Sequence, residues 1–397
     1  MSETPWLTIV GLGEDGPGGL GSASRKALAQ AEIIMGPPRH LALLKAQEGE
    51  LIPWPVPFAD GVELLLEQRG KRVVVLASGD PFWFGAGSVL ARHLDPGEWR
   101  CLPGRSTFSL AAAQMGWPLE ETTCLGLHAA PLARLRPHLA QGARCIVLLR
   151  DGAAVQTLAT YLTDTGFGAS TLTVFEALGG PRQTVTEARA EALPDRRFEH
   201  PVCAAVTCAG ADALPLVPGR SDDWFENDGQ ITKSPVRAMT LAALGPLPFE
   251  HLWDIGGGSG SIAIEWLLAH PSLSATSFER DPARVARITD NAARLGVDRL
   301  QVVTGSAPEV LGGPPPQAVF IGGGLSDPLL SWLRTHLATG TRLVANAVTL
   351  ETEALLVQAQ AEMGGDLLRL QLARSEPLGP RRGWAASYPI VQWSVRL

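Results

Sequence analysis

The sequence predicts an α/β protein with largely parallel sheets, organised in more than one domain. Short β-branched runs alternate with segments of helical length through nearly all of the chain, a pattern typical of sheets covered by helices. At 397 residues the chain exceeds the usual size of a single hydrophobic core. The alternation stops at 215–230, which combines prolines, glycines and acids without periodicity. We therefore expect domains at 1–212 and 231–397, joined by a linker at 213–230.

The first half of the chain carries six strand-like runs separated by segments of helical length. The predicted strands lie near 6–10, 72–77, 99–102, 144–149, 170–176 and 202–207. Because helical segments separate them, parallel pairing through helical crossovers is expected.

The second half carries one complete run of alternating strands and helices. The predicted strands lie near 251–255, 274–279, 300–304, 317–321, 340–346, 367–373 and 388–395. The predicted helices lie near 260–270, 282–295 and 350–363. This succession predicts a second α/β sheet that is complete without the first half.

Composition and charge argue against several function classes. No apolar run approaches the roughly 18 residues of a membrane span, and the opening six residues show no secretory pattern, so we expect a cytoplasmic protein without a membrane partner. The five cysteines are odd in number and lack CxxC spacing, so neither a disulfide framework nor a metal site is predicted. The net charge of −7 is unfavourable for a nucleic-acid partner. An anionic small molecule requires only a local basic pocket.

A glycine-rich turn follows the predicted strand at 251–255. Asp254 ends that strand, and Gly256, Gly258 and Gly260 precede a helix whose first amides can face a ligand. Glu279 ends the next strand, where a carboxylate can accept hydrogen bonds from both hydroxyls of a ribose. The GxGxG spacing differs from the dinucleotide pattern GxGxxG. It suits S-adenosylmethionine (SAM), which has no phosphate and whose ammonium group needs an acid.

These residues resemble the SAM-dependent methyltransferases of the seven-stranded Rossmann-like class. A closer resemblance spans 224–397, where DGQITKSPVRAMTLAAL (228–244), GSAPEVL (305–311), FIGGG (320–324) and ANAVTLE (345–351) are similar to the precorrin methyltransferase domain that also decarboxylates its substrate. Ser306 departs from that family, whose members often have an aspartate there. The resemblance implies a SAM site formed by Thr232, Asp254, Gly256, Gly257, Gly258, Ser259, Gly260, Glu279, Ser306 and Ala307.

The loop after the first predicted strand contains a literal GxGxxG pattern, in WLTIVGLGEDGPGGL (6–20). A nicotinamide dinucleotide site is the usual interpretation of such a pattern. Here Glu14 and Asp15 would repel a pyrophosphate, and Pro17–Gly19 delay the helix that should receive it. A nicotinamide-dependent oxidoreductase in the first domain therefore stays only as an alternative.

Four later motifs resemble the tetrapyrrole methylases over about 1–212. They are VVVLASGDPFWFGAG (73–87), CLPGRSTFSLAAAQMGWPLEE (101–121), FEALGG (175–180) and PVCAAVTCAG (201–210). In that family two α/β subdomains clasp SAM in a cleft, so the resemblance implies a two-lobed fold. EDGPGG (14–19) stands where the family usually has a tight GPG turn. The implied SAM contacts are Ser78, Gly79, Asp80, Trp83, Ser106 and Thr107.

The order of the two domains implies methylation and decarboxylation of one corrin precursor in cobalamin biosynthesis, with one SAM per domain. By resemblance, the first domain methylates precorrin-6B at meso carbon 5. The second methylates meso carbon 15 and removes carbon dioxide from the ring C (C12) acetate, giving precorrin-8X. Both parent families imply a homo-oligomer. A tandem methyltransferase acting on another tetrapyrrole, and a SAM-binding sensor without turnover, remain as alternatives.

No residue stands out as a strong catalytic base, and none is required if enamine-like meso carbons attack the sulfonium methyl directly. Substrate carboxylates favour guanidinium partners, and the carboxyl edge of a parallel sheet is where such folds place ligands. Lys233 is the only lysine after Lys71 in a chain with 29 arginines, which suggests a need for an ammonium group. The candidate substrate-site residues are Lys233, Arg237, Asn346, Glu351, Arg381 and Arg382.

Overall fold

The computed structural model describes residues 5–44 and 48–397 and divides the chain into two compact units. The first unit holds the described residues up to Leu132 together with His138–Ala213. The second holds Ala133–Pro137 and Leu214–Leu397. Residues 1–4, on which the expectation about a secretory signal partly falls, lie outside the described residues.

The first unit begins with a five-stranded sheet whose strands are all parallel. The strands are β1 Leu7–Leu12, β2 Ile33–Gly36, β3 Glu50–Pro53, β4 Val73–Ser78 and β5 Trp99–Leu102. The helices are α1 Ser22–Ala29, α2 Pro38–Leu43, α3 Phe58–Leu66 and α4 Gly87–Leu90. The order is β3-β2-β4-β1-β5. β1 is buried along its whole length, as expected for a parallel strand covered on both faces. We call this part lobe A.

The rest of the first unit, lobe B, is a second five-stranded sheet in the order β6-β7-β10-β8-β9. Its strands are β6 Thr123–Gly126, β7 Arg144–Leu149, β8 Thr171–Glu176, β9 Thr184–Arg189 and β10 Val202–Thr207, and its helices are α5 Thr107–Met115 and α6 Ala153–Asp164. Only β6 and β7 pair in parallel. Lobe B is thus the exception to the expectation of largely parallel sheets; the β8–β9 connection, for example, is too short for a parallel crossover. The two-lobed architecture is confirmed.

The second unit is built on a seven-stranded sheet in the order β13-β12-β11-β14-β15-β19-β16. The strands of this sheet are β11 His251–Ile255, β12 Ser274–Glu279, β13 Gln301–Thr304, β14 Ala318–Ile321, β15 Arg342–Ala347, β16 Asp366–Leu370 and β19 Ile390–Arg396. Two further strands, β17 Ala373–Leu378 and β18 Arg381–Ala386, pair with each other. The helices are α7 Ser234–Leu244, α8 Ser261–Ala269, α9 Pro282–Arg294, α10 Asp327–His336 and α11 Leu350–Met363. β19 runs antiparallel to both of its neighbours, β15 and β16, and the other pairs of this sheet are parallel. The predicted seven-stranded Rossmann-like fold is confirmed.

Alternating side chains of β11 enter two separate cores on the two faces of this sheet. Leu252 packs with residues of α7, α8 and α9, whereas Trp253 and Ile255 pack with residues of α10 and α11. This alternation follows from the two-residue period of a strand. It leaves Asp254 on the α8 face, directly below the glycine-rich turn.

Two regions differ from the sequence-based expectation. The last part of the chain contains a two-stranded hairpin, β17–β18, between β16 and β19, where the sequence predicted only two late strands. Residues 214–230, expected as a linker, are counted within the second unit, where Leu214 and Phe225 are buried in its core. None of the helices in the described part of the chain is both long and apolar enough to cross a membrane.

Candidate cofactor and substrate sites

The glycine-rich turn of the second unit lies where the strand order reverses. β12 and β13 lie on one side of β11, and β14 and β15 lie on the other, so the loops after β11 and β14 diverge at the carboxyl edge. Open α/β sheets bind ligands in the crevice that such a reversal creates. A β-carbon on Gly256 would lie 2.8 Å from the backbone nitrogen of Gly323, and Gly256 has a φ of +75°. Position 256 therefore requires glycine for two reasons: its positive φ, and the closeness of the Gly323 backbone, which leaves no room for a side chain.

Glu279 holds the glycine-rich turn against the end of β12. Its carboxylate is buried, with Oε2 accepting a hydrogen bond from Gly258 N–H (2.9 Å) and Oε1 accepting one from Asp281 N–H (3.0 Å). A carboxylate oxygen has two lone pairs, so each oxygen can accept a further bond from a ligand hydroxyl. The geometry is therefore compatible with the ribose-binding role predicted for this residue.

Two further features of the turn suit a small polar ligand. Ser259 is 2% exposed, and its hydroxyl has no hydrogen-bond partner among the described residues. A β-carbon on Gly258 would meet the carbonyl oxygens of Gln230, at 3.6 Å, and Gly256, at 4.0 Å, both at ordinary van der Waals distance, so there is room beside it. The unpartnered hydroxyl and the open space together fit a small polar ligand such as the amino acid portion of SAM.

Asp254 is placed differently from the expectation that it pairs with the ammonium group of SAM. Its carboxyl group is 1% exposed, and it accepts hydrogen bonds from the Ser277 hydroxyl (3.4 Å) and from the backbone N–H of Ala263. Burial raises its pKa to about 7, Glu279 adds to the rise, and the two hydrogen bonds oppose it. Asp254 therefore ties β11 to β12 and α8 beneath the turn and does not face the crevice.

Replacing Asp254 by Asn should raise the stability of the second unit at pH 8. Because the pKa is raised, the folded state keeps a proton on Asp254 at pH values where the unfolded state has released it. Asp254 therefore lowers the stability of the fold progressively from about pH 4 to pH 7, and the full loss of stability remains above pH 7. Asn keeps the acceptor without the charge, and we expect a gain of about 1–3 kcal/mol at pH 8. Thermal unfolding at pH 8 and pH 4.5 measures this. A D254N variant less stable than the parent at pH 8 would contradict the assignment.

A segment that we call the cover, residues 226–232, lies over the glycine-rich turn. The Asn291 side chain bonds to the Glu226 backbone N–H and carbonyl (2.9 Å each) and donates to the Ser259 carbonyl (3.0 Å). Asp228 pairs with Arg284 (2.8 Å) and Arg287 (3.2 Å) of α9, and the Arg284 hydrogen bond contributes most to lowering its pKa to about 2. Within the cover, the Gln230 carbonyl oxygen approaches the turn, 3.6 Å from the position of a β-carbon on Gly258, and the Thr232 carbonyl accepts a hydrogen bond from Arg237; the cofactor role of Thr232 stays a prediction. The anchors Asn291, Arg284 and Arg287 carried no recognisable signal in the sequence.

Arg237 does not face a substrate, contrary to its prediction as a carboxylate ligand. It is fully buried, with Nε donating to Glu265 Oε1 (2.8 Å), Nη1 to Asp222 and to the Thr232 carbonyl, and Nη2 to the Arg220 carbonyl (2.5 Å). These bonds leave little capacity for a ligand. Arg237 instead fastens the end of the cover to α7 and α8.

The other predicted substrate residues are scattered over the second unit. Asn346 donates to the Thr240 hydroxyl (2.9 Å) and accepts from Gln392 (3.0 Å), so its amide braces β15 against α7 and β19. Lys233 immediately precedes α7 and lies 3.7 Å from Asp222 in a cavity of about 790 Å³. Exposed Arg381 and Arg382 lie on β18, and Glu351 lies in the first turn of α11, which Thr349 caps. Ser306 is exposed and Ala307 half-buried in the loop after β13.

The predicted cofactor residues of the first unit meet at the carboxyl edge of lobe A. A β-carbon on Gly11 would lie 1.9 Å from the Gly79 carbonyl and 2.2 Å from Gly104 N, so the end of β1 touches the loops after β4 and β5. Gly79 has a φ of +51° and packs on the backbone of Arg105 and Ser106. The loop of Ser78, Gly79 and Asp80 is thereby brought beside Ser106 and Thr107.

The side chains of this loop already have local roles. Ser106 caps α5 by accepting a hydrogen bond from Ser109 N–H (3.0 Å), and Asp80 Oδ1 accepts one from Phe82 N–H (2.9 Å). Trp83 is 37% exposed and lies against Phe108, with ring centroids 4.8 Å apart. An exposed aromatic ring beside open backbone can pack against a nucleoside or a macrocycle.

The electrostatic argument against a pyrophosphate at the β1 loop is wrong. Glu14 pairs with Arg39 and Arg182, and Asp15 pairs with Arg105, so the loop environment carries an excess of positive charge. The second argument stands, because a short 3-10 helix at Gly16–Gly19 precedes α1, which begins only at Ser22. Among the described residues, no group of three His, Cys, Asp or Glu side chains could hold a metal ion.

Comparison with known protein families finds two matches, one on each half of the chain. Residues 6–194 match the tetrapyrrole (corrin/porphyrin) methylases. Residues 223–397 match the precorrin methyltransferase domain. The first match is to methylases and therefore argues against the nicotinamide-dependent alternative for the first half.

Curated relatives extend this similarity to the full length. The chain is 48% identical to a precorrin-6Y C(5,15)-methyltransferase [decarboxylating] of Sinorhizobium sp, over 98% of this chain and 96% of the relative. It is 40% identical to the protein of the same name from Mycobacterium tuberculosis, over 98% of this chain and 99% of the relative. A shorter relative, the cobalt-precorrin-6B C(15)-methyltransferase (decarboxylating) of Salmonella typhimurium, is 34% identical over 40% of this chain and 85% of its own length.

Proposed function

The chain belongs to the precorrin-6Y C(5,15)-methyltransferase (decarboxylating) family, and from this we propose that it methylates a corrin precursor at carbons 5 and 15 and decarboxylates it during cobalamin biosynthesis. The observation that carries the proposal is the full-length similarity to relatives with this name. Methyltransferases of this family use SAM, and the two separate glycine-lined crevices support one SAM in each unit. In the second unit Ser259, Glu279 and Thr232 would hold it; in the first, Gly79, Asp80 and Thr107 would.

We assign the C15 methylation and the decarboxylation to the second unit. The Salmonella relative, named for those two activities, is similar to only 40% of this chain, so they do not need a chain of this length. The match of residues 223–397 to the precorrin methyltransferase domain supports placing them in the second half. Methylation at C5 then falls to the first unit. We place the boundary between the two activities at 213–214, where the compact units divide.

The chemistry asks the protein mainly to position reactants and exclude water. SAM supplies an electrophilic methyl group, and a meso carbon of the reduced macrocycle supplies the electron pair for the new C–C bond and then loses its proton. In the decarboxylation, the C–C bond of the ring C acetate breaks, its electron pair enters the electron-poor macrocycle, carbon dioxide leaves, and a proton is taken up to complete a methyl group. A buried, water-poor crevice favours both steps.

The purified chain should convert precorrin-6B, under anaerobic conditions with SAM, to a product that has gained two CH₂ units and lost one carbon dioxide. Mass spectrometry of the product, with formation of two S-adenosylhomocysteine molecules per turnover, measures this. With methyl-labelled SAM, NMR separates the two methylated carbons. Precorrin-8X is the product expected.

Other outcomes would redirect the proposal. Unchanged precorrin-6B with turnover of another tetrapyrrole would support the alternative substrate, and SAM binding without any turnover would support the sensor. The homo-oligomeric state and cytoplasmic location stay predictions. Light scattering on the purified chain tests the first of these.

A further inference from the structure

Three arginines from separate elements converge on the loop after β1 in the first unit. Glu14, in that loop, is 7% exposed and pairs with Arg39 of α2 and, at 3.1 Å, with Arg182 of the β8–β9 connection. The neighbouring Asp15 pairs with Arg105, which lies just before α5. Arg39 belongs to lobe A and Arg182 to lobe B. The loop is therefore held from both sides of the cleft.

The cluster has more positive than negative charge. Three guanidinium groups face two carboxylates, and the pKa of Arg39 is lowered by burial and by repulsion from Arg182, so these two cations lie close together. The adjacent His40 is buried, and burial, with repulsion from Arg39, lowers its pKa to about 3, so it adds no further charge. Such an excess of cations around a single buried carboxylate favours binding of another anion.

The arginines retain hydrogen-bonding capacity that faces solvent. Within the described part of the chain, Glu14 is the only hydrogen-bond partner of Arg182, and Asp15 is the only one of Arg105. Their side chains are 58% and 61% exposed. A guanidinium group has five N–H donors in a fixed fork, so each can bind a second carboxylate.

The cluster borders the predicted cofactor loop. Arg39 Nη2 donates to Ser78 Oγ (3.2 Å) and to His40 Nε2 (3.0 Å), and Ser78 ends β4 immediately before Gly79 and Asp80. On the lobe B side, a β-carbon on Gly180 would lie 2.6 Å from Glu14 Cβ, so the β8–β9 connection packs directly on the loop. An anion bound here would lie beside the methyl-transfer site of the first unit.

We propose that Arg39, Arg105 and Arg182 form a binding site for a carboxylate of the macrocyclic substrate, with Glu14 holding Arg39 and Arg182 in position across the two lobes. This rests on the proposed function, which supplies a substrate with several carboxylates. The amino acid portion of SAM also has a carboxylate, and the test separates the two sources. Glu14 and Asp15 stand where the family usually has a tight GPG turn, and they are the carboxylates that pair with these three arginines.

Arg182→Gln tests the site without removing a buried group. We expect the KM of the substrate for C5 methylation to rise about tenfold, equivalent to about 1.4 kcal/mol, with kcat nearly unchanged. C15 methylation and decarboxylation, followed in the same tube by methyl-labelled SAM and NMR, should keep the parental KM. The Kd of SAM, measured by calorimetry, should also stay unchanged.

Arg182→Lys and Arg189→Gln serve as controls. Arg182→Lys keeps the charge and should recover part of the affinity, while Arg189, an exposed residue of β9 that lies 3.8 Å from Glu191, should be replaceable by Gln without effect. An unchanged substrate KM in Arg182→Gln, or a weakened SAM Kd instead, would overturn the assignment to the substrate. A parent chain that methylates neither carbon would count against the proposed function itself.

Discussion

Replacing Gly258 by Leu should abolish C15 methylation and decarboxylation while leaving C5 methylation intact. A β-carbon at this position meets the carbonyl oxygens of Gln230 (3.6 Å) and Gly256 (4.0 Å) without a clash, so the leucine side chain would extend into the space between the glycine-rich turn and the cover. The φ of +60° costs roughly 1–2 kcal/mol for a residue other than glycine, which a unit of this size tolerates. We expect both second-unit activities to fall more than about 100-fold. Product masses and labelled-methyl NMR measure the three reactions in one sample.

Gly313→Leu is the matched control for that substitution. Gly313 also has a positive φ (+90°), no atom within 4 Å of its β-carbon position, and an exposed place in a loop between β13 and β14. The Gly313→Leu variant also places a leucine at a positive φ, but outside the crevice. The methylation and decarboxylation activities of this variant should therefore match those of the parent. If Gly258→Leu methylates C15 at the parental rate, the turn is not the cofactor site.

Replacing Arg237 by Met should destabilise the second unit by about 3–5 kcal/mol, because it leaves the fully buried Glu265 carboxylate without its closest cation. Glu265 keeps hydrogen bonds from the backbone N–H groups of Gly219 and Arg220 (2.7 and 3.0 Å), which limits the loss. The bond to the Thr232 carbonyl also disappears, so the cover should loosen and the KM of SAM for C15 methylation should rise. Urea unfolding of the full chain, with C15 and C5 methylation assayed in parallel, measures both effects.

Two variants separate the ionic contribution from the general effect of losing an arginine. Arg334 of α10 is half exposed and lies 3.8 Å from Glu362, so Arg334→Met should change stability by less than about 0.5 kcal/mol. Combining Arg237→Met with Glu265→Gln removes the uncompensated charge and should restore part of the lost stability. If Arg237→Met unfolds at the parental urea concentration, the buried network does not support the second unit.

Much of the architecture could be predicted from the sequence, because strands and glycine turns leave local signals. The predicted strands at 99–102, 144–149, 202–207, 251–255 and 274–279 coincide with β5, β7, β10, β11 and β12. Apart from the partly exposed β5, these are mostly buried runs, rich in the β-branched and apolar residues that predict a strand. The strands that were missed, β2, β3, β6, β9, β17 and β18, are short or exposed. Their pairing depends on neighbours distant in sequence, which no local pattern records.

The order of the two folds and the positions of the glycines and of Glu279 were determined by the sequence alone, because backbone conformation and loop length demand particular residues there. The partners of the charged side chains were decided only by the tertiary structure. Arg237 and Asp254 look like ligand-binding residues in the sequence, yet both are enclosed, whereas Glu14 and Asp15 look repulsive and are surrounded by arginines. An ionisable group acquires its role from burial and from charges that the fold brings within a few ångströms, and residues far apart in the chain supply those charges.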